Sequence, residues 1–345
     1  MTVRLKDIAK EFGVSIVTVS RALRGDPSIS ESTRARILKR MQELNYRPNL
    51  AARSLVTGRN YMIGLVIPDL VHSFFSEVAR GVSGVLRNTD YTLLVSSSEQ
   101  EPNRERQAID QLVARRVDIL LVASTQVTDE TFRHLAETKV PYILVDRNFD
   151  GLDANFVGVN DKQVGVLATE HLISIGCQRI AHISAAGVSS VVGRQEGYRA
   201  ALERAGLPVQ GDCIVYTESV AELGDSQGYK ATQSLLKLNP HPDAIFCYND
   251  TVAMGAMNAI FDAGLRIPED VALVGCGNLH YSGFLRVPLT SVDQQSTNIG
   301  ERAGKLALRV VEAKSPPKPK NILLDPTLVV RESTRKSAAP SQHSS

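Results

Sequence analysis

With 345 residues and 43% hydrophobic content, the chain exceeds one ordinary core and is excluded from wholesale disorder, so a small domain joined to larger ones is expected. Its net charge is only +2, yet residues 1–60 hold twelve Lys and Arg against five Asp and Glu, a net +7 that leaves −5 for the remainder. Such asymmetry points to a polyanion partner for the N-terminal part alone, the plainer reading being a basic helical module that binds another protein. Cys177, Cys213, Cys247 and Cys276 form no CxxC pair and have no histidine at ligand spacing, which argues for reduced core thiols over zinc or a disulfide scaffold. The start MTVRLKDIAK lacks an apolar leader core, and no segment approaches the ~18 apolar residues of a membrane span, so a cytoplasmic protein is expected.

In chain order, Leu5, Ile8, Ala9 and Phe12 recur at helical spacing, and Gly13 follows where a helix end favours positive φ. Ser15 is placed to cap a second helix with Val19, Ala22 and Leu23 on its apolar side. A turn as short as Gly13-Val14-Ser15 is a helix-turn-helix signature, in which the second helix enters the DNA major groove. Ser30 caps a third helix carrying Ile37, Leu38, Met41 and Leu44 before Pro48 blocks continuation. Asn49 to Val56 suits about two turns of helix, too short to stand alone by the ~12 to 15 residues an isolated helix needs. It is either a segment that folds on support or a flexible linker.

The stretch LKDIAKEFGVSIVTVSRALRGDPSISESTRARILKRMQELNYRPNLAARSL closely resembles the headpiece of the LacI/GalR family of bacterial transcription regulators, and a looser likeness runs to about Ser333. The resemblance implies a recognition helix in which Ile16, Val17 and Arg21 read bases, the first two being positions that discriminate among operators in the family. Their apolar character suits thymine methyl groups, whereas Arg21 can pair with guanine. Ser15, Thr18, Ser20, Arg24, Ser30 and Thr33 match phosphate-contact positions, with capping as a second role for Ser15 and Ser30. Asn49, Ala52 and Leu55 fall in the family's hinge helix, where Leu55 matches the leucine levered into the minor groove.

After Tyr61, apolar runs at 63–67, 92–96, 119–123 and 142–146 alternate with helical stretches, then a second series follows at 180–184, 213–217, 244–248 and 271–275. This is βαβ repetition, and it predicts an α/β body of two doubly wound parallel-sheet lobes of the periplasmic-binding-protein-like type implied by the resemblance. The expected division is 1–48 headpiece, 49–60 hinge, 61–333 two-lobed body and 334–345 disordered tail. Lobe 1 covers about 61–160 plus part of 291–320; lobe 2 covers about 161–290 plus a C-terminal strand. The stretch NILLDPTLVVRES reads as hairpin-like, with a helix near 299–313 before it. Without a leucine heptad in the tail, a simple homodimer is expected over a tetramer.

Ligands of parallel sheets lie beyond the carboxyl ends of strands, which here are followed by Asp69, Phe74, Ser97, Ser124, Asp146 and Arg147 in the first lobe and Ser190, Arg194, Asn249, Asp250, Gly277 and Asn278 in the second. Carboxylate, amide and guanidinium groups beside an aromatic ring suit a carbohydrate. The resemblance supports Phe74, Asp146, Arg194, Asn249 and Asp250 as effector contacts, and Asn278 joins them; taken singly, Asp250 could cap a helix and Phe74 could be core. Where the family has an aspartate, this chain has Gly277, which tilts the expectation towards a sugar acid or phosphate over a neutral sugar, with purines still open.

The expected function is a dimeric regulator of a pseudo-palindromic operator, requiring no cofactor and controlled by a small-molecule effector between its lobes. A sugar receptor without DNA function is one alternative. A nucleotide-dependent enzyme is another, but Gly275-Cys276-Gly277 is a lone GxG and no catalytic constellation surrounds His171 or His182.

Overall fold

The computed structural model describes residues 3–23, 25–46, 54, 57–185, 187–217 and 224–335. Arg24, the hinge positions Asn49, Ala52 and Leu55, and the tail from 336 lie outside the described residues. The chain divides into two units, Met1–Asn60 and Tyr61–Ser345.

In the first unit, α1 (Leu5–Glu11), α2 (Ile16–Leu23) and α3 (Glu31–Glu43) enclose one small core of Ile8, Ala9, Val19, Ala22, Ile37 and Met41. Gly13 sits at φ +63°, so the chain leaves α1 through a conformation that side chains resist. Ser15 Oγ accepts the Thr18 amide at 3.1 Å and Ser30 Oγ accepts the Thr33 amide at 3.3 Å, starting α2 and α3. Arg40 ties α3 to α1 by donating to Glu11 at 2.7 Å.

The second unit holds two six-stranded sheets. Lobe 1 is built from β1 (Met62–Ile67), α4 (Ser73–Leu86), β2 (Thr92–Ser97), α5 (Pro102–Ala114), β3 (Ile119–Val122), α6 (Glu130–Glu137), β4 (Tyr142–Val145) and β5 (Asn155–Val159). The chain then crosses at Asn160 into lobe 2: α7 (Asp161–Ser174), β6 (Ile180–Ala185), α8 (Ser189–Arg204), β7 (Ile214–Thr217), α9 (Gly224–Leu236), β8 (Ala244–Cys247), α10 (Asp250–Asp262), β9 (Ala272–Cys276) and β10 (Thr290–Asp293). It crosses back at Gln294 and Gln295 to α11 (Ser296–Glu312) and β11 (Asn321–Leu324), then returns to β12 (Thr327–Val329). The sheet orders are β11-β5-β4-β3-β1-β2 and β12-β10-β9-β8-β6-β7, parallel throughout except for β12 against β10.

Two expectations need correction. NILLDPTLVVRES is not a hairpin: β11 pairs with β5 in one sheet and β12 with β10 in the other, so Asp325-Pro326 is a third crossing between lobes. β5 and α7 were not expected either, because a glycine and an asparagine dilute the apolar run of β5 and α7 carries only a weak apolar periodicity, with Gly165, Ala168 and Thr169 among its buried residues. The four cysteines are free and buried, and among the described residues no helix is long and apolar enough to cross a membrane.

Glycine pairs set the helix packing. In α4 against α11, α7 against α8 and α9 against α10, each helix presents a glycine to the other's backbone: Gly81 and Gly300, Gly165 and Gly197, Gly228 and Gly255. A Cβ at Gly165 would overlap the Arg194 carbonyl oxygen, and one at Gly197 would overlap that of Lys162. Because these neighbours are backbone, a side chain cannot swing aside to make room. Gly165→Ala is therefore expected to destabilise the second unit by about 1 to 3 kcal/mol, measured by urea unfolding, despite alanine's better helix propensity. An unchanged midpoint would show that α7 and α8 can separate without cost.

Candidate functional site

The outer face of α2 is unusual for a soluble helix. Ile16 and Val17 are 50% and 57% exposed although its inner face has Val19 and Ala22 fully buried. Arg21 is exposed on the same helix, with Asp26 3.8 Å away. Ser15, Thr18, Ser30 and Thr33 mark the helix starts, where Ser15 and Thr18 hydroxyls meet at 2.9 Å and Ser30 donates to Thr33 at 2.8 Å. Ser20 is half-buried in α2. An apolar pair next to a guanidinium, beside hydroxyls at two helix N-termini, can meet base edges and phosphates together.

In the second unit a cleft of about 740 Å³ opens between the lobes. Phe74, Asp146, Arg194 and Asn249 all line it. Phe74 and Phe75 come from the first turn of α4 and meet edge to face at 5.1 Å, so both rings are fixed by the core while facing the cleft. Asp146 follows β4 at φ +65°, a non-glycine residue held in the left-handed region at the carboxyl end of its strand. Asn249 caps α10 through its side-chain oxygen, which accepts the Val252 amide at 2.8 Å and leaves its NH2 group without a partner among the described residues.

Arg194 is the electrostatic centre of the cleft. Its Nε donates to Asp161 at 2.9 Å and its Nη1 to the Tyr248 carbonyl at 2.6 Å, although only 5% of the residue is exposed. Burial works against its charge, but Cys276, Asp161 and Asp146 together outweigh it and raise its pKa. Burial pushes the Asp161 carboxyl up to about 7 against the pull of Arg194, and burial also raises Asp146 against Arg147 and Arg194. Arg147 donates to the Ser124 carbonyl at 2.8 Å. Beneath it, buried Glu105 accepts from the Ser124 and Thr125 hydroxyls, each at 2.7 Å, which stiffens the loop after β3.

Two expected contacts lie elsewhere. Asp250 is fully buried and its carboxylate is spent within lobe 2: Oδ2 accepts the Leu279 amide at 2.9 Å and Ser282 Oγ at 2.6 Å, and Oδ1 accepts Ser291 Oγ at 2.6 Å. Asn278 donates to Asp293 at 3.0 Å and accepts from Arg331 at 2.6 Å, also off the cleft lining. Gly277 is outside the lining too, at φ +128°, so its lack of a carboxylate does not report the charge of the cleft. Residues that the sequence pattern did not reveal take those places: Asp225, Thr251, Met254, Tyr281 and Gln294 line the cleft, and Asp161 orients Arg194. Gln294 directly follows β10 and Asp161 stands just beyond β5, so the strand-end rule would have found both had these strands been recognised.

His72, just before α4, also lines the cleft, and its Nδ1 is sealed from solvent with no hydrogen-bond partner among the described residues. Burial pushes its pKa down to about 4, with Asp69 opposing and Arg147 and Arg194 assisting. A depressed base means that the unfolded chain takes up the proton first as pH falls below about 6.5, so His72 costs stability between about pH 6.5 and 4. On going from pH 7 to 5, wild type is expected to lose more urea stability than His72→Asn. Equal losses would show that the ring protonates freely in the fold.

Comparison with known proteins gives this geometry a context. Residues 4–49 match the model of bacterial regulatory proteins, lacI family, and residues 60–329 match that of periplasmic binding proteins and sugar binding domain of LacI family. The HTH-type transcriptional repressor PurR of Actinobacillus pleuropneumoniae serotype 3 (strain JL03) is 31% identical over 334 residues, covering 96% of this chain and 98% of its own. The lac repressor dimer bound to operator and the anti-inducer ONPF superposes with a TM-score of 0.83 at 26% identity, covering 97% and 99% of the two chains. The structure of a transcriptional regulator CelR-cellobiose complex has a TM-score of 0.74 at 27% identity, covering 96% and 99%. With a basic helix-turn-helix unit ahead of a two-lobed effector-binding body, and matches spanning both, the chain belongs to the LacI family of bacterial transcriptional regulators.

Proposed function

We propose that two copies of this chain read a pseudo-palindromic operator through α2, and that a neutral sugar bound between the lobes controls the affinity. The observation that carries the effector reading is the cleft itself: the rings of Phe74, Phe75 and Tyr281 stand beside Asp146, Arg194 and Asn249 in about 740 Å³. Apolar sugar faces pack on rings while ring hydroxyls need paired donors and acceptors, which this set supplies. The volume accommodates a disaccharide, and the similar CelR structure holds cellobiose.

The charge of the lining supports a neutral sugar over the acidic one that Gly277 suggests. The lining carries Asp69, Glu99, Asp146 and Asp225 against Arg147 and Arg194, and both guanidiniums already face carboxylates, Asp146 at 3.7 Å and Asp161 at 2.9 Å. Each guanidinium already has a carboxylate beside it, and the further acidic groups of the lining disfavour a ligand that brings another negative charge. On DNA, Ile16 and Val17 are proposed to contact thymine methyl groups and Arg21 a guanine, with Ser15, Thr18, Ser20, Ser30 and Thr33 on phosphates. Leu55, with Asn49 and Ala52, is carried by the sequence resemblance alone.

Thermal-shift screening of neutral mono- and disaccharides, sugar acids, sugar phosphates and purines tests the effector. A neutral sugar at a hundredfold excess over Kd is expected to add about 2.7 kcal/mol of stability. A shift given only by sugar acids, phosphates or purines would overturn the reading. With the responding sugar, Arg194→Ala is expected to weaken binding about 10- to 100-fold by calorimetry, from the loss of charge-assisted hydrogen bonds. An unaltered titration would place the ligand elsewhere. Arg21→Ala, assayed by selection from random-sequence duplexes, is expected to cost about 1 to 3 kcal/mol and to relax one position in each half-site; an unchanged consensus would remove Arg21 from the readers.

A further inference from the structure

The loop joining β9 to β10 packs on both lobes: Leu285, Val287 and Leu289 join the apolar cluster of lobe 2, whereas Leu279 does not. Leu279 is 1% exposed, and it lies in the apolar cluster formed by Ile67, Phe74, Phe75 and the other buried side chains of β1, α4 and α11. Only Tyr281, partly buried, accompanies it from lobe 2 in that cluster. Leu279 is thus a knob from one lobe seated in the core of the other.

What holds the knob out is the carboxylate of Asp250. Its Oδ2 accepts the Leu279 amide at 2.9 Å and Ser282 Oγ at 2.6 Å, gripping the loop on both sides of the knob. Its Oδ1 accepts Ser291 Oγ at 2.6 Å, and that hydroxyl in turn accepts the Asn278 amide at 2.9 Å. Gly275 makes room for this arrangement, since a Cβ there would collide with Asp250 Oδ1. The same loop reaches two further places. Tyr281 lines the cleft and shares a 3.0 Å hydrogen bond with Thr251 of α10, while Asn278 donates to Asp293, whose other oxygen accepts the amide of the crossing residue Gln295 at 2.6 Å.

We propose that Leu279, held in place by Asp250, is the positioning residue that sets the angle between the two lobes, and that Asp250 serves this role instead of touching the effector. The knob belongs to the same apolar cluster as Phe74 and Phe75, which line the cleft, so a ligand packed on those rings bears on the cluster that seats it. Cores are bistable and do not deform continuously, so a seated or unseated knob gives two discrete lobe arrangements. The idea rests on the reading that the effector lies in this cleft, but its test needs no effector.

Nitroxide labels placed at Arg115→Cys in lobe 1 and Lys237→Cys in lobe 2, both exposed sites, allow the interlobe distance to be measured by pulsed electron resonance on the full chain; the native cysteines are buried. Leu279→Ala and Asp250→Asn are each expected to broaden the distance distribution at least twofold relative to the labelled parent, and Leu279→Ile to restore it. A purely structural role would lower the melting temperature of Leu279→Ala and leave the distribution unchanged, which would overturn the proposal. So would a narrow distribution in Asp250→Asn beside a broad one in Leu279→Ala, because the carboxylate would then not be holding the knob. Should Leu279→Ala fail to fold, Leu279→Val is read by the same two criteria. Failure here leaves the sugar screen untouched, and failure of that screen leaves this measurement valid.

Discussion

The cleft depends on keeping a guanidinium charged where little water reaches it. A buried cation is tolerated when hydrogen bonds and an opposite charge replace its lost hydration, and Arg194 has Asp161 for its Nε and charge and the Tyr248 carbonyl for its Nη1. These partners come from distant parts of lobe 2, Asp161 from the first turn of α7 and Tyr248 from the end of β8, so the fold must be complete before the site exists. Asp146 and Arg147 reach the same region from lobe 1, giving a cluster in which acidic and basic side chains are interleaved. Such a cluster discriminates by hydrogen-bond geometry more than by charge.

The glycine pairs explain how α7 and α8 deliver that ion pair. Removing the Cβ from Gly165 and Gly197 lets the two backbones touch, and the contact point at Gly165 is the carbonyl of Arg194 itself. Gly193 lies against Asp161 in the same way. Close helix approach is therefore also the device that brings Arg194 within hydrogen-bond reach of Asp161. The pair Gly228 and Gly255 does the equivalent work for α9 and α10, whose N-terminal residues Asp225 and Thr251 both face the cleft.

The three-helix unit was legible in the sequence because its signals are local: a glycine at a helix end, hydroxyls at two helix starts, and apolar residues at helical spacing. Ile16 and Val17 were singled out by the family resemblance, and the structure leaves both exposed opposite the buried Val19 and Ala22. The two-lobe plan was also legible, since parallel strands read as apolar runs. What escaped was long-range pairing. The separation of β11 from β12 into different sheets depends on where β5 and β10 lie, some 165 and 35 positions earlier in their pairing partners, and no local pattern reports that. Asp250 and Asn278 were placed by the strand-end rule, which gives position along a sheet but not the direction in which a side chain turns. Both turned inward to partners on β10 or its flanking loop, Asp250 to Ser282 and Ser291, Asn278 to Asp293.

Charge partition constrains how the two units can communicate. The first sixty residues carry +7 and the remainder −5, so attraction to a duplex resides in the headpiece while the body opposes non-specific association. An uncharged effector, as proposed above, would change neither value. Its influence on operator affinity must then come through the arrangement of the lobes, and the electrostatic part of binding, read as the salt dependence, should be nearly the same with and without it. Linkage makes the coupling reciprocal, so the operator must alter effector affinity by the same factor that the effector alters operator affinity. For a body whose lobes are joined by three chain crossings and a shared apolar knob, that factor is limited by how differently the body holds its effector in the two arrangements, however tightly it binds in either.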